Sequence, residues 1–216
     1  MAANLNAVRK LSLRCLLAAL VLLASFALDG PAREAHGVVL AAVPGWLLWS
    51  VAEAGNPATL TAMVVAFLAA GLVARRSRLT RAAAVLAGAL VGTGLVVLSL
   101  KWLASRSEDG VFHGFWAGEQ GIMFPSGHTA LAFAACAVIG AVWRKLRWPA
   151  YGIAAGVALS QVILVHFLSD VVTGALIGVL VAKLVTGWAA RKGFLTLDSG
   201  APGTRSPAPE GPAPGG

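Results

Sequence analysis

Residues 82–103 read AAAVLAGALVGTGLVVLSLKWL, 22 residues with one charge, Lys101, close to the end. Wound as a helix, the run is about 33 Å long, enough to cross the roughly 30 Å hydrocarbon core of a bilayer. Similar apolar runs lie on either side of it, at 11–28, 59–74, 125–143, 149–167 and 171–189. Across the 216 residues, 58% are hydrophobic and 12% charged, with a mean hydropathy of +0.79. Soluble domains are about half apolar and about a quarter charged, so a water-bounded core cannot hide this much apolar surface. The solvent is therefore lipid. The expected fold is all-α, a polytopic membrane bundle of about six transmembrane helices.

The net charge of +8 points to nucleic acid or to a positive-inside bias. The basic residues stand in short clusters between apolar runs, with no aromatic or glycine-rich binding module around them, which favours topology and excludes a nucleic-acid partner. Cys15 and Cys136 fall inside apolar segments and read as small hydrophobes, without a disulfide framework or paired metal-ligand spacing.

The run 11–28 follows Arg9 and Lys10. Ser25-Phe26-Ala27 loosely resembles a signal-peptide cleavage site, but 18 residues suit an uncleaved span better. Residues 29–56 are less apolar and contain Asp29, Arg33, Glu34, His36 and Glu53. Within them the patch 38–51, carrying Trp46 and Trp49, reads as an interfacial helix or re-entrant piece. From Asp198 onward the chain is rich in Pro, Gly, Ala and Ser, a composition expected to be disordered. The expected organisation is a first helix plus interfacial segment (1–56), a helical core (57–192) and a tail (193–216).

Six spans put both termini on one side. That side collects Arg9, Lys10, the 75–81 cluster, the 144–147 cluster, Arg191 and Lys192. The other side receives Arg33, Lys101 and Arg106. This asymmetry makes the first side cytoplasmic. The end of the third span, the start of the fourth and the turn between the fifth and sixth then share the non-cytoplasmic face, and the chain's sparse polar residues cluster there.

Polar groups at membrane depth are costly and mark function. In Phe124-Pro125-Ser126-Gly127-His128, proline suits a helix's first turn, serine caps or donates, and glycine lets a ligand approach the backbone. Free N–H groups at a helix start favour an anion, with His128 placed to move a proton beside it. In His166-Phe167-Leu168-Ser169-Asp170, a carboxylate near a histidine can fix its tautomer, leaving the other nitrogen as nucleophile or base. Asp170 or Ser169 also suits capping of the last helix. Two histidines, one paired with an acid, suit phosphoryl transfer, with Lys101 and Arg106 supplying charge. His113 lies in the connecting loop among aromatics that read as an interfacial anchor.

Pro125-Ser126-Gly127-His128, followed by Ser160 with His166 six and Asp170 ten residues on, resembles the type 2 phosphatidic acid phosphatase family, whose relatives include glucose-6-phosphatase and the vanadium haloperoxidases. The resemblance covers roughly residues 57–190. It implies His166 as nucleophile, Asp170 as its orienting acid, and His128 as the proton donor to the leaving group. Lys101, Ser126 and the Gly127 N–H would hold the phosphate. It implies no metal or other cofactor, and a membrane lipid phosphate or diphosphate as substrate, hydrolysed through a phosphohistidine at the periplasmic or exterior face of an inner membrane.

Two positions depart from the family pattern. The first motif places an Arg-Pro pair seven residues after its lysine, where this chain has Glu108-Asp109. The third motif begins Ser-Arg, where this chain has Ser160-Gln161. Arg106, two residues early, is the candidate substitute for phosphate binding. The rival reading is a catalytically impaired relative that binds lipid phosphate or scaffolds a partner.

Overall fold

A computed structural model describes residues 2–114 and 123–197. Among these residues the chain forms eight α-helices and one hairpin. The order is α1 (Ala2–Ala27), α2 (Asp29–Ala42), α3 (Gly45–Ala52), α4 (Pro57–Val73), α5 (Ser77–Leu103), β1 (Ser105–Arg106), β2 (Phe112–Gly114), α6 (Gly127–Val142), α7 (Arg147–Leu164) and α8 (Leu168–Arg191). The six expected spans fall on α1 and α4 to α8. Val8–Ala27, α5 and α8 are long and apolar enough to cross a membrane, while α4 and α6 are apolar but shorter. Large apolar side chains such as Leu20, Leu72, Leu95, Leu159 and Leu184 face outward, a surface suited to lipid. The chain is built as a multi-pass membrane protein.

Local chemistry sets the helix ends. Asn56 caps α4 by accepting the Ala58 N–H at 2.8 Å, and Pro57 occupies the first turn, where its missing N–H costs nothing. Pro44 stops α2: Val43 before it is extended, as a residue preceding proline prefers. The chain bends by 113° between Asp29–Ala42 and Gly45–Gly55. This bent pair occupies the stretch read as interfacial or re-entrant, with Trp46 and Trp49 exposed.

The bundle is held by small residues. α6 packs against α5, α7 and α8. Gly174 and Gly178, four apart on α8, let it press onto α6, so that a Cβ at Gly174 would lie 2.5 Å from the Ser126 carbonyl oxygen. Without a hydrophobic drive between helices in lipid, such close approach is what dispersion needs to hold them together. A core of Leu60, Val85, Leu86, Val138, Val142 and Ala182 joins α4, α5, α6 and α8, and a second cluster including Cys136, Ala154 and Val157 joins α6 to α7. Leu195 is buried in the first cluster. The tail from Asp198 lies outside the described residues.

Arg78 donates to the Val142 carbonyl at the C-terminus of α6, and Arg81 sits 6.0 Å from the Phe194 ring. The 75–81, 144–147 and 191–192 clusters therefore gather at one end of the bundle. The polar residues singled out in the sequence gather at the other.

Candidate active site

Three chain segments build the site. The first is the break between α7 and α8. The Gln161 carbonyl accepts the N–H groups of both Val165 (3.0 Å) and His166 (2.8 Å), closing α7. Phe167 is extended and precedes α8, so His166 stands in the gap between two helices. Ser160 turns its hydroxyl back onto the Val157 carbonyl at 2.8 Å. Gln161 is buried at the end of α7.

Phe167 has no side-chain acceptor for the first turn of α8. Asp170, inside that turn, bonds back instead: its Oδ2 accepts the N–H of Phe167, the residue that precedes α8, at 3.1 Å. The same oxygen is 3.6 Å from His166 Nδ1. This is ion-pair distance but longer than a hydrogen bond. Asp170 is fully buried, so one carboxylate both caps the helix and faces the histidine.

The second segment is the turn into α6. The Ser126 N–H donates to the Asp170 carbonyl at 3.0 Å, which locks this turn to the start of α8. Gly127 and His128 form the first turn of α6. Ser126 is buried and its hydroxyl donates to Thr129 Oγ1 at 3.0 Å. The main chain at His128 is pressed by the turn after α3: a Cβ at Gly55 would lie 2.6 Å from the His128 carbonyl oxygen.

The third segment is the last turn of α5, which carries Lys101. Lys101, Gly127, His128 and His166 line one groove of about 590 Å³, together with Leu60, Leu90, Val91, Gly94, Val97, Leu98 and Leu131. The groove is apolar along α4, α5 and α6 and ends at the two histidines and the lysine. A smaller cavity of about 300 Å³ reaches His166 from another side, lined by Arg33, His36, Glu108 and Phe167 among others.

Arg106, expected at the phosphate, has other partners. It is buried in the β1–β2 hairpin region, with Nε donating to the Gly110 carbonyl at 3.2 Å. One terminal nitrogen donates to Ser169 Oγ and Asp170 Oδ1, each at 2.8 Å, and the other to Asp29 Oδ2 at 3.0 Å. The Phe167 ring covers it at 3.8 Å. Most of its N–H groups are thus taken, and it lines neither cavity. Arg106, expected at the phosphate, is thus placed against Asp29, Ser169 and Asp170.

Asp29 was not among the residues the sequence picked out. The available signal was a carboxylate at the end of an apolar run, which must pair if it is buried. Asp109 accepts the Ser107 hydroxyl and the Val111 N–H. These bonds hold its carboxyl below the usual range, the Ser107 bond contributing most. His113 Nε2 is 2.8 Å from Ser107 Oγ at the surface. Among the described residues, no group of three or more His, Cys, Asp or Glu side chains is placed to hold a metal ion.

Residues 105–194 match the PAP2 superfamily, which bears out the resemblance seen in the motifs. Two solved structures share the fold. A PAP2-type phosphatidylglycerolphosphate phosphatase from Bacillus subtilis aligns with a TM-score of 0.64 at 22% identity, covering 82% of this chain and 96% of that one. Aquifex aeolicus LpxE aligns with a TM-score of 0.55 at 22% identity, covering 72% and 94%. No curated protein sequence matches the chain.

Proposed function

We propose that this chain, carrying the PAP2 superfamily match over residues 105–194, is an integral membrane phosphatase that hydrolyses a lipid phosphate or diphosphate through a phosphohistidine. The observation that carries the reading is the groove in which Lys101, His128 and His166 stand at the end of an apolar channel along α4, α5 and α6. A lipid chain fits the apolar length, and a phosphate at its head would meet the cationic and nucleophilic groups together.

His166 Nε2 attacks phosphorus in line, forming the N–P bond as the P–O bond to the lipid breaks. His128 gives its proton to the departing oxygen, an alkoxide from a monophosphate or a lipid phosphate from a diphosphate. Asp170 faces Nδ1 and offsets the positive charge that the imidazole gains. Lys101 and the free N–H groups at the start of α6 hold the phosphoryl oxygens, with Ser126 shaping that turn. Water then attacks the phosphohistidine, with His128 now accepting its proton, and inorganic phosphate leaves. The basic clusters at one end of the bundle support a six-crossing arrangement with that end cytoplasmic and the site at the periplasmic or exterior face.

The rival, a lipid-phosphate-binding protein without turnover, draws on Glu108 and Gln161 at positions where the family pattern has arginines. Purified protein in detergent micelles separates the two. Release of inorganic phosphate from phosphatidate, phosphatidylglycerol phosphate, lipid A or undecaprenyl diphosphate, abolished in His166→Ala, is the expected result. Binding without release from any of these overturns the enzyme reading.

A further inference from the structure

Asp29 comes from the corner between α1 and α2, far outside the segment that matches the superfamily, yet its carboxylate ends among the site residues. It is 7% exposed, Arg106 is 5% exposed and Asp170 is 0% exposed. Asp29 Oδ1 accepts the Ser169 N–H at 2.8 Å, and its Oδ2 accepts the Ser169 hydroxyl at 2.6 Å. Oδ2 also takes the Arg106 guanidinium at 3.0 Å, while the other arm of that guanidinium holds Asp170 Oδ1 at 2.8 Å. Three buried charges from three segments therefore form one chain, Asp29–Arg106–Asp170. A buried charge persists only when paired and hydrogen-bonded, and each member here meets that condition through the others.

From this geometry we infer that Asp29 is a positioning residue for His166, acting through Arg106 and Asp170. The inference rests on the phosphatase reading above. Two effects follow from the arrangement. The first is orientation. Arg106 occupies Asp170 Oδ1, which leaves Oδ2 for the Phe167 N–H and His166. Asp29 fixes the far arm of Arg106 and the first turn of α8, so the carboxylate cannot swing. The second is charge. The triad itself, one cation between two anions, carries one net negative charge behind His166, where the imidazole becomes positive on taking the phosphoryl group. Without Asp29, Arg106 would neutralise Asp170 and that compensation would be lost.

The test is a double-mutant cycle in the full-length purified protein, assayed on a long-chain lipid phosphate. Asp29→Asn should lower kcat about tenfold or more with KM little changed, and the drop should shrink to less than about twofold when Asp170 is already Asn. Ser169→Ala, which removes one donor to Asp29 and spares the charges, should lower kcat about two- to tenfold and show the same dependence on Asp170. If Asp29→Asn does not fold, the Ser169 cycle decides. A drop that is undiminished in the Asp170→Asn background, or that falls on KM alone, overturns the positioning role, and so does no drop. A wild-type protein that releases no phosphate overturns the phosphatase reading itself, which the wild-type arm reports separately.

Discussion

Asp170 Oδ2 lies 3.6 Å from His166 Nδ1 and 3.1 Å from the Phe167 N–H. One carboxylate oxygen thus caps the start of α8 and faces a histidine. Asp170→Asn should therefore cost both heat stability and turnover. The stability loss should exceed the roughly 1 kcal/mol of a cap, because the buried pair with Arg106 is weakened as well, and the loss in kcat should be larger still. Thermal unfolding and phosphate release on the same preparation check this. A fall in stability with unchanged kcat would reduce Asp170 to a cap.

Arg106 distinguishes a phosphate clamp from a structural pairing. With Asp29 and Asp170 both depending on it, Arg106→Ala should destabilise the protein by about 3–5 kcal/mol, because it leaves buried carboxylates without their cation. A residue that only binds substrate would lose activity and keep its melting temperature. Heat unfolding in detergent reads the difference directly.

The groove predicts selectivity for chain length. A Cβ at Gly94 would meet open space, and Gly94 lines the apolar stretch between α4 and α5. Gly94→Leu should lower kcat/KM about tenfold on a long-chain lipid phosphate and leave a short-chain, water-soluble phosphate ester within about twofold. Equal losses on both substrates would mean that the lipid chain lies elsewhere.

Close helix packing sets the site as well as the fold. Gly174→Ala would bring a methyl group to 2.5 Å from the Ser126 carbonyl oxygen, at the turn that carries Gly127 and His128. The expected cost is about 1–3 kcal/mol in stability, with reduced turnover because that turn must move. Melting temperature and kcat measured together test the coupling.

Much of this was legible in the sequence because lipid imposes length and apolarity on every crossing. The runs at 59–74, 82–103 and 125–143 lie on α4, α5 and α6 to within about five residues, and the patch 38–51 read as an interfacial helix or re-entrant piece falls on the bent helix pair. The Pro-Ser-Gly-His and His-Asp spacings brought His128, His166 and Asp170 forward, and the structure does draw Lys101, His128 and His166 to one groove. The pairing of Arg106 was not legible. Its partners lie 77 and 64 residues away, and no local pattern marks Asp29 as the acceptor for a helix start 140 residues later. The buried Ser126 hydroxyl was also out of reach, because its partner Thr129 reads in sequence as one more small helix residue.

Topology is open to a direct check. Single cysteines at Ser77 and Ser107, in a background lacking Cys15 and Cys136, should label oppositely with an impermeant thiol reagent in intact cells. Position 107 should react from outside and position 77 only after permeabilisation. The reverse pattern would place the site on the cytoplasmic face.

The covalent step is the centre of the account, and trapping it is the most direct measurement. Protein mixed with a lipid phosphate labelled with radioactive phosphorus and quenched in alkali within milliseconds, conditions under which a phosphohistidine survives, should carry label on the peptide containing His166. The label should vanish in His166→Ala and should accumulate more slowly in His128→Ala, where the leaving group lacks its proton donor. Steady phosphate release by the wild-type protein with no labelled His166 peptide, or with His166→Ala still turning over within a few fold of wild type, would contradict it.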